Sequence, residues 1–131
     1  MIRNEIFFEV IVKYTMKEIQ GGYRHSILYC GNASYGFRHI EANDNGKRIS
    51  GYPGGWPGFN YSITVTLKTW TSYSYREAND TYTHYKRINE CNGGTWVSSW
   101  IFQVTTARIS AKIITARRGP GLKQEAGDCP P

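Results

Sequence analysis

Between residues 81 and 117 the chain offers three strand-length segments, joined by links too short for anything but antiparallel hairpins. Residues 81–89 form the first. Cys91-Asn92-Gly93-Gly94 then marks a turn, because glycine accepts backbone angles closed to other residues. Residues 96–106 form the second, with Trp96, Trp100, Phe102 and Val104 marking its core-facing side. Residues 107–110 are a short connection to the third segment, 111–117, so these two are expected to pair.

Upstream, Tyr61, Ile63, Val65 and Leu67 alternate with Ser62, Thr64, Thr66 and Lys68. Period two over eight residues predicts a half-buried strand at 61–68, the fourth of a sheet. The 10 Tyr, 4 Trp, 5 Phe and 11 Thr suit such a sheet, and 14 Gly with 5 Pro supply its turns.

The first part of the chain reads differently. Ile2, Ile6, Val10 and Tyr14 fall at helical spacing, although the apolar run 6–12 equally suits a buried strand. Gly21-Gly22 ends the segment, which is expected as a helix or a leader outside the core. Ser34 looks like an N-cap for a short helix over 35–43. The Gly- and Pro-rich stretch 50–60 is expected as a loop, whose Tyr52 and Trp56 either stack on bases or sugars or cap a core. The fold class expected is α+β: N-terminal helical segment(s) followed by a twisted antiparallel sheet of about four strands. The 131 residues suit one domain, divided as a leader or helical segment at 1–22, a catalytic or binding domain at 23–118 and a flexible tail at 119–131.

The net charge is +6, and residues 21–120 hold 12 Lys/Arg against 5 Asp/Glu, a local balance of +7. Such a domain attracts polyanions such as RNA, DNA or anionic lipid, though the same charge also keeps a protein soluble. No stretch approaches the roughly 20 apolar residues of a membrane span. The apolar run 6–12 is broken by Glu9 and precedes no cleavage site, so export would come from a larger parent protein or a dedicated route. Cys30, Cys91 and Cys129 match no zinc spacing. A Cys30–Cys91 bridge with Cys129 free, or three reduced thiols, are both open.

Three histidines are the scarce groups able to move protons near neutral pH. His25, among apolar neighbours, reads as structural. Arg38 beside His39 sets a phosphate-binding cation next to a proton-transfer group. If 81–89 is a strand, Tyr82, His84 and Lys86 share one face and Thr83, Tyr85 and Arg87 the other. Thr115 and Arg117 share a face of the last strand and suit an anion. No Gly-x-Ser-x-Gly, phosphate loop, dinucleotide fingerprint or His-Glu-x-x-His occurs. Glu41 and Asp44 near His39 have only generic spacing, so neither a metal nor a cofactor is expected. A set of His, Arg, Lys, Thr and Tyr binds a phosphodiester directly and can move protons for attack by a ribose 2′-hydroxyl.

Tyr35-Gly36-Phe37-Arg38-His39-Ile40, Thr83-His84-Tyr85-Lys86-Arg87-Ile88 and Ala111-Lys112-Ile113-Ile114-Thr115-Ala116 occur in that order. Together they resemble bacterial polymorphic-toxin RNase domains of the barnase/EndoU/colicin E5-D/RelE-like group, over about residues 35–118. The resemblance implies a helix before a four-stranded sheet, metal-independent cleavage of RNA (often tRNA), and an immunity protein as inhibitor. It makes His39 a proton-transfer residue and Arg38 a phosphate ligand, with His84 or Lys86 and Thr115 completing the site. Such domains often carry a second His shortly after the first motif. Asp44 occupies that region here, which shifts the role to His84.

The resulting expectation is a monomeric ribonuclease toxin domain, secreted or delivered into a target cell within a larger toxin. His39, His84 and Thr115 would be catalytic. Arg38, Lys86, Arg87, Arg117 and Tyr82 would hold RNA. The competing reading is a non-catalytic module for single-stranded nucleic acid or glycans, since 19 aromatic rings suit stacking.

Overall fold

The three segments of the last third do pair as antiparallel neighbours, with His84 opposite Val104 and Val104 opposite Ala116. The computed structural model describes residues 8–122 and Cys129. Its elements run β1 (Val10–Lys17), β2 (Tyr23–Tyr29), α1 (Gly36–Gly46), α2 (Gly55–Thr69), β3 (Ser72–Arg76), β4 (Thr81–Asn92), β5 (Thr95–Ala107) and β6 (Ile113–Leu122). β1 and β2 form a two-stranded sheet, and the other four form an antiparallel sheet in the order β3-β4-β5-β6. The class is α+β, as expected. The helices, however, follow a β-hairpin rather than opening the chain.

That hairpin corrects the helical expectation for 2–19. Ile2 and Ile6 lie outside the described residues. Within 10–17 burial has period two: Tyr14 and Met16 are buried and Val12 packs against the core. Gly21 and Gly22 both take positive φ, which lets the chain turn tightly into β2. Tyr14, Met16 and Leu28 join the same core as the rest of the chain, so the hairpin is part of the body. At the other end β6 runs to Leu122, past the expected limit of 118.

The strand expected at 61–68 is helix α2, and the loop expected at 50–60 contains its first turns. Its buried residues are Phe59, Ser62, Ile63, Thr66 and Leu67. That is i, i+3, i+4, i+7, i+8 spacing, the stripe of a core-facing helix. Ser62 is acceptable there because its hydroxyl bonds the Gly58 carbonyl at 3.0 Å and the Tyr52 hydroxyl at 2.6 Å. Pro57 falls in the first turn, where its missing N–H breaks no helical bond. The fourth strand of the sheet is instead β3, five residues long and exposed throughout.

Helix α1 begins at Gly36, with Tyr35 rather than Ser34 at the N-cap. Gly36 has φ 82, and a Cβ there would lie 2.7 Å from the Tyr29 carbonyl oxygen, so only glycine starts this helix against β2.

The core lies between the helices and one face of the larger sheet. Ile88, Trp100, Phe102, Val104, Ile113 and Ala116 meet Ile40, Phe59, Ile63 and Leu67. Tyr52 and Trp56 turn inward. Tyr52 makes edge contacts with Phe59, Trp100 and Phe102, and its hydroxyl accepts from Trp100 Nε1 at 2.9 Å. Trp56 packs on Phe37. The disulfide joins Cys91 to Cys129 and leaves Cys30 free, so the Cys30–Cys91 pairing is replaced by one that ties the tail to the end of β4.

Candidate nucleic-acid interface

Residues opposite one another in an antiparallel ladder project to the same side. The register therefore sorts the larger sheet into two faces. On the helix side stand Tyr73, His84, Val104 and Ala116 in one row, with Lys86, Phe102 and Arg118 in the next. On the other side stand Ser74, Thr83, Thr105 and Thr115, then Ser72, Tyr85, Gln103 and Arg117. Arg76 and Arg87 flank these rows, and no described helix packs over them.

This open face is polar and already hydrogen-bonded. Thr83 Oγ1 meets Thr105 Oγ1 at 2.7 Å, Ser74 Oγ meets the Tyr85 hydroxyl at 2.9 Å, and Arg117 Nε donates to Gln103 Oε1 at 3.3 Å. No described strand residue of this face is Asp or Glu; Glu90 of β4 pairs with Ser98 on the helix side, and Glu77 follows Arg76 in the turn after β3.

At the β6 rim Arg48 reaches the sheet from the segment after α1. Its Nη1 donates to Thr115 Oγ1 at 3.3 Å and to the Ala116 carbonyl at 3.4 Å, while its Nε pairs with Asp44 at 3.1 Å. The kink in the last residues of α1 that delivers it has left-handed Asp44, Asn45 and Gly46 in succession, with φ of 56, 58 and 76. A cleft of about 160 Å³ beside it is lined by Asp44, Lys47, Arg48, Tyr52 and Arg118 among others. Three cations against one carboxylate suit a phosphate. The Arg118 guanidinium lies 4.0 Å above the Trp100 ring, which fixes its place.

The residues expected to form one site are divided. Thr115, Arg117 and Arg87 lie on the open face. Tyr82, His84 and Lys86 lie on the helix side, as their shared parity required. Arg38 and His39 belong to α1, which packs mainly against β6 and β2. His39 Nδ1 donates to the Ala33 carbonyl at 2.8 Å, leaving Nε2 as the acceptor of the neutral ring. His84 is buried, in contact with Trp70 and Tyr82. Burial pushes its pKa below the ordinary histidine value, partly offset by its bond to the Val104 carbonyl. The described contacts do not bring the two imidazoles together.

Tyr85, Gln103, Arg48 and Lys47 were not singled out from sequence. The parity of Tyr85 with Arg87 was legible, but Gln103 joins them only through the strand register. Arg48 joins through the turn after α1. Among the described residues no group of three or more His, Cys, Asp or Glu could hold a metal ion. Glu41, Asp44 and His39 do not form one. No described helix is long and apolar enough to cross a membrane.

No family model matches the chain, and no solved structure matches it. Two proteins of Mycobacterium tuberculosis do, one from strain CDC 1551 and one from strain H37Rv. Each is described as uncharacterised and is 34% identical over 101 residues, which is 70% of this chain and 35% of the relative. The chain thus spans about a third of the length of the curated relatives it matches.

Proposed function

We propose that the chain binds single-stranded RNA across the open face of its larger sheet and the adjoining β6 rim. The observation that carries this reading is the charge pattern. Arg76, Arg87 and Arg117 stand on a strand face with no Asp or Glu among its described strand residues, and Arg48, paired with Asp44, lies at its edge. Guanidinium forks grip phosphate oxygens two at a time. Tyr85 offers a ring between them, and Gln103 with the threonines offers donors and acceptors to 2′-hydroxyls and base edges. A neutral glycan carries no phosphate for the arginines to pair with. The test is anisotropy of a labelled single-stranded RNA against salt, with wild type and Arg117→Glu. Affinity should fall steeply with salt, by a log–log slope of about 0.7 for each phosphate contacted. Salt-independent binding, or full affinity in Arg117→Glu, overturns the reading.

A second reading adds cleavage to the same RNA by attack of the ribose 2′-hydroxyl, the chemistry of a metal-independent ribonuclease toxin. The tautomer of His39 favours it: with Nδ1 committed to Ala33, Nε2 is available as a base. His84 lies buried on the helix side, so the counterpart acid in this reading comes from elsewhere. Total tRNA incubated in excess chelator should yield cyclic-phosphate ends, and His39→Ala should abolish them. Binding without turnover leaves the first reading standing alone.

A further inference from the structure

On the helix side of the sheet the turn end of the β1–β2 hairpin and the facing ends of β4 and β5 enclose a cavity of about 180 Å³. Drug-sized ligands occupy roughly 300–1,000 Å³, so this half-open space suits one small ligand unit that stays partly in solvent. His84 lines it while only 2% exposed. Its Nδ1 lies 3.3 Å from the Val104 carbonyl oxygen. A carbonyl only accepts, so Nδ1 carries the hydrogen and Nε2 of the neutral ring is an acceptor. Nε2 has no partner among the described residues. It is not sealed in protein either: Thr66 Oγ1 is the one sealed side-chain atom without a partner among them. A ligand entering the cavity therefore meets an acceptor already stripped of most of its water.

The rest of the lining narrows the ligand. Tyr82 supplies a ring, and the exposed Tyr75 and Tyr73 rings continue from it at 5.1 and 5.8 Å, giving an aromatic path out to solvent. Lys17, Arg24 and Arg108 line the same space against Glu18 alone. Their positions are held from behind. Arg24 donates to the Ile109 carbonyl at 2.8 Å and pairs with Glu18 at 3.4 Å, Arg108 pairs with Asp80 at 2.6 Å, and Lys17 donates to the Trp70 carbonyl at 2.7 Å. A cation is opposed by three cations. A bare phosphate would use them, and its hydroxyl can reach Nε2, but it would offer nothing to the rings.

We propose that this cavity binds one nucleotide unit, its base stacked on Tyr82 with an N–H or amino donor on His84 Nε2, and its phosphate on Arg24 and Arg108. The site is separate from the open face and does not rest on that face binding RNA. The unit is either a free mononucleotide or one residue of a strand.

The experiment is an NMR titration of the protein with AMP, CMP, GMP and UMP, and with adenosine and inorganic phosphate as partial ligands. Mononucleotides should shift Tyr82 and His84 resonances and bind at least tenfold tighter than phosphate. His84→Phe, which keeps a ring but removes the acceptor, should weaken them about fivefold, the loss of one hydrogen bond. Arg24→Ala should weaken AMP and leave adenosine unchanged. Should His84→Phe fail to fold, Tyr82→Leu and the shift map of the wild type decide. Phosphate binding as tightly as the mononucleotides, or shifts confined to Tyr85, Gln103 and Arg117, overturns the proposal. A tetranucleotide that shifts the same cavity resonances points to a strand as the source; shifts from mononucleotides alone point to a free nucleotide. Shifts at Tyr82 and His84 report this cavity and shifts at Tyr85 and Gln103 report the open face, so failure of the open-face reading and failure of this one are told apart.

Discussion

The two faces of the larger sheet are made from alternate residues of the same strands, yet they are opposite in chemistry. Phe102 and Gln103 are neighbours in β5: the first is fully buried against α2, and the second holds Arg117 on the open side. The helix side joins apolar residues to aromatic rings and one desolvated histidine. The open side joins threonines, a tyrosine and arginines already cross-linked by hydrogen bonds. The difference teaches that the helix side carries the stability, which leaves the open side free to gather polar and cationic side chains.

The largest expected effect tests that division directly. Phe102→Ala should cost about 3–5 kcal/mol in urea unfolding, from lost burial and the cavity left behind. Gln103→Ala, one residue on, should cost under about 1 kcal/mol. Comparable losses at the two positions would break the comparison.

Next comes Arg117→Glu. RNA affinity should fall about tenfold and the salt dependence become shallower by close to one phosphate contact, with stability changed by no more than about 0.5 kcal/mol. Parallel loss of affinity and stability would mean that the open face is structural.

The third effect concerns pH. His84 has its pKa lowered from 6.5 by burial, so the folded state favours the neutral ring. Between the folded and unfolded pKa values the unfolded chain binds more protons. The stability from the neutral ring is therefore complete above 6.5 and is lost as pH falls through 6.5 toward the folded value. Urea midpoints should drop on acidification below that point, and His84→Phe should flatten the drop. An unchanged pH slope in that variant would place His84 in contact with water.

The smallest effect is expected from Thr83→Val, which removes the 2.7 Å bond to Thr105 from a cross-strand pair. It should cost about 0.2–1 kcal/mol. A larger loss in thermal unfolding would mean that the open-side hydrogen bonds matter more to the fold than their exposure suggests.

Much of the fold was legible. The strands after residue 81, their turns and the split of Tyr82, His84 and Lys86 from Thr83, Tyr85 and Arg87 follow from local alternation. Two elements were not. In α2 the apolar residues alternate, and reading Ser62 and Thr66 as solvent-facing gives a strand. In the structure both are buried: the Gly58 carbonyl one turn back satisfies Ser62, whereas Thr66 Oγ1 is sealed in the core without a partner among the described residues. In β1 the helical spacing ran through Ile2, Ile6, Val10 and Tyr14; the first two lie outside the described residues, Val10 is exposed, and the residues that meet the core are Tyr14 and Met16. The candidate site was legible only in part. Arg87, Arg117 and Thr115 fall on the open face, but Gln103 and Arg48 reach it through register and a turn that no local pattern reveals.

By itself the sequence determined that residues 81–117 form hairpin-linked strands, that the middle of the chain is basic, and which neighbours within a strand share a side. Only the tertiary structure decided which side is covered. Alternation is a local geometric property of the backbone, whereas burial is won where a distant helix lies down, and α2 lies on the side that holds His84. The same packing that placed this histidine beneath the hairpin left Tyr85 and the arginines facing outward.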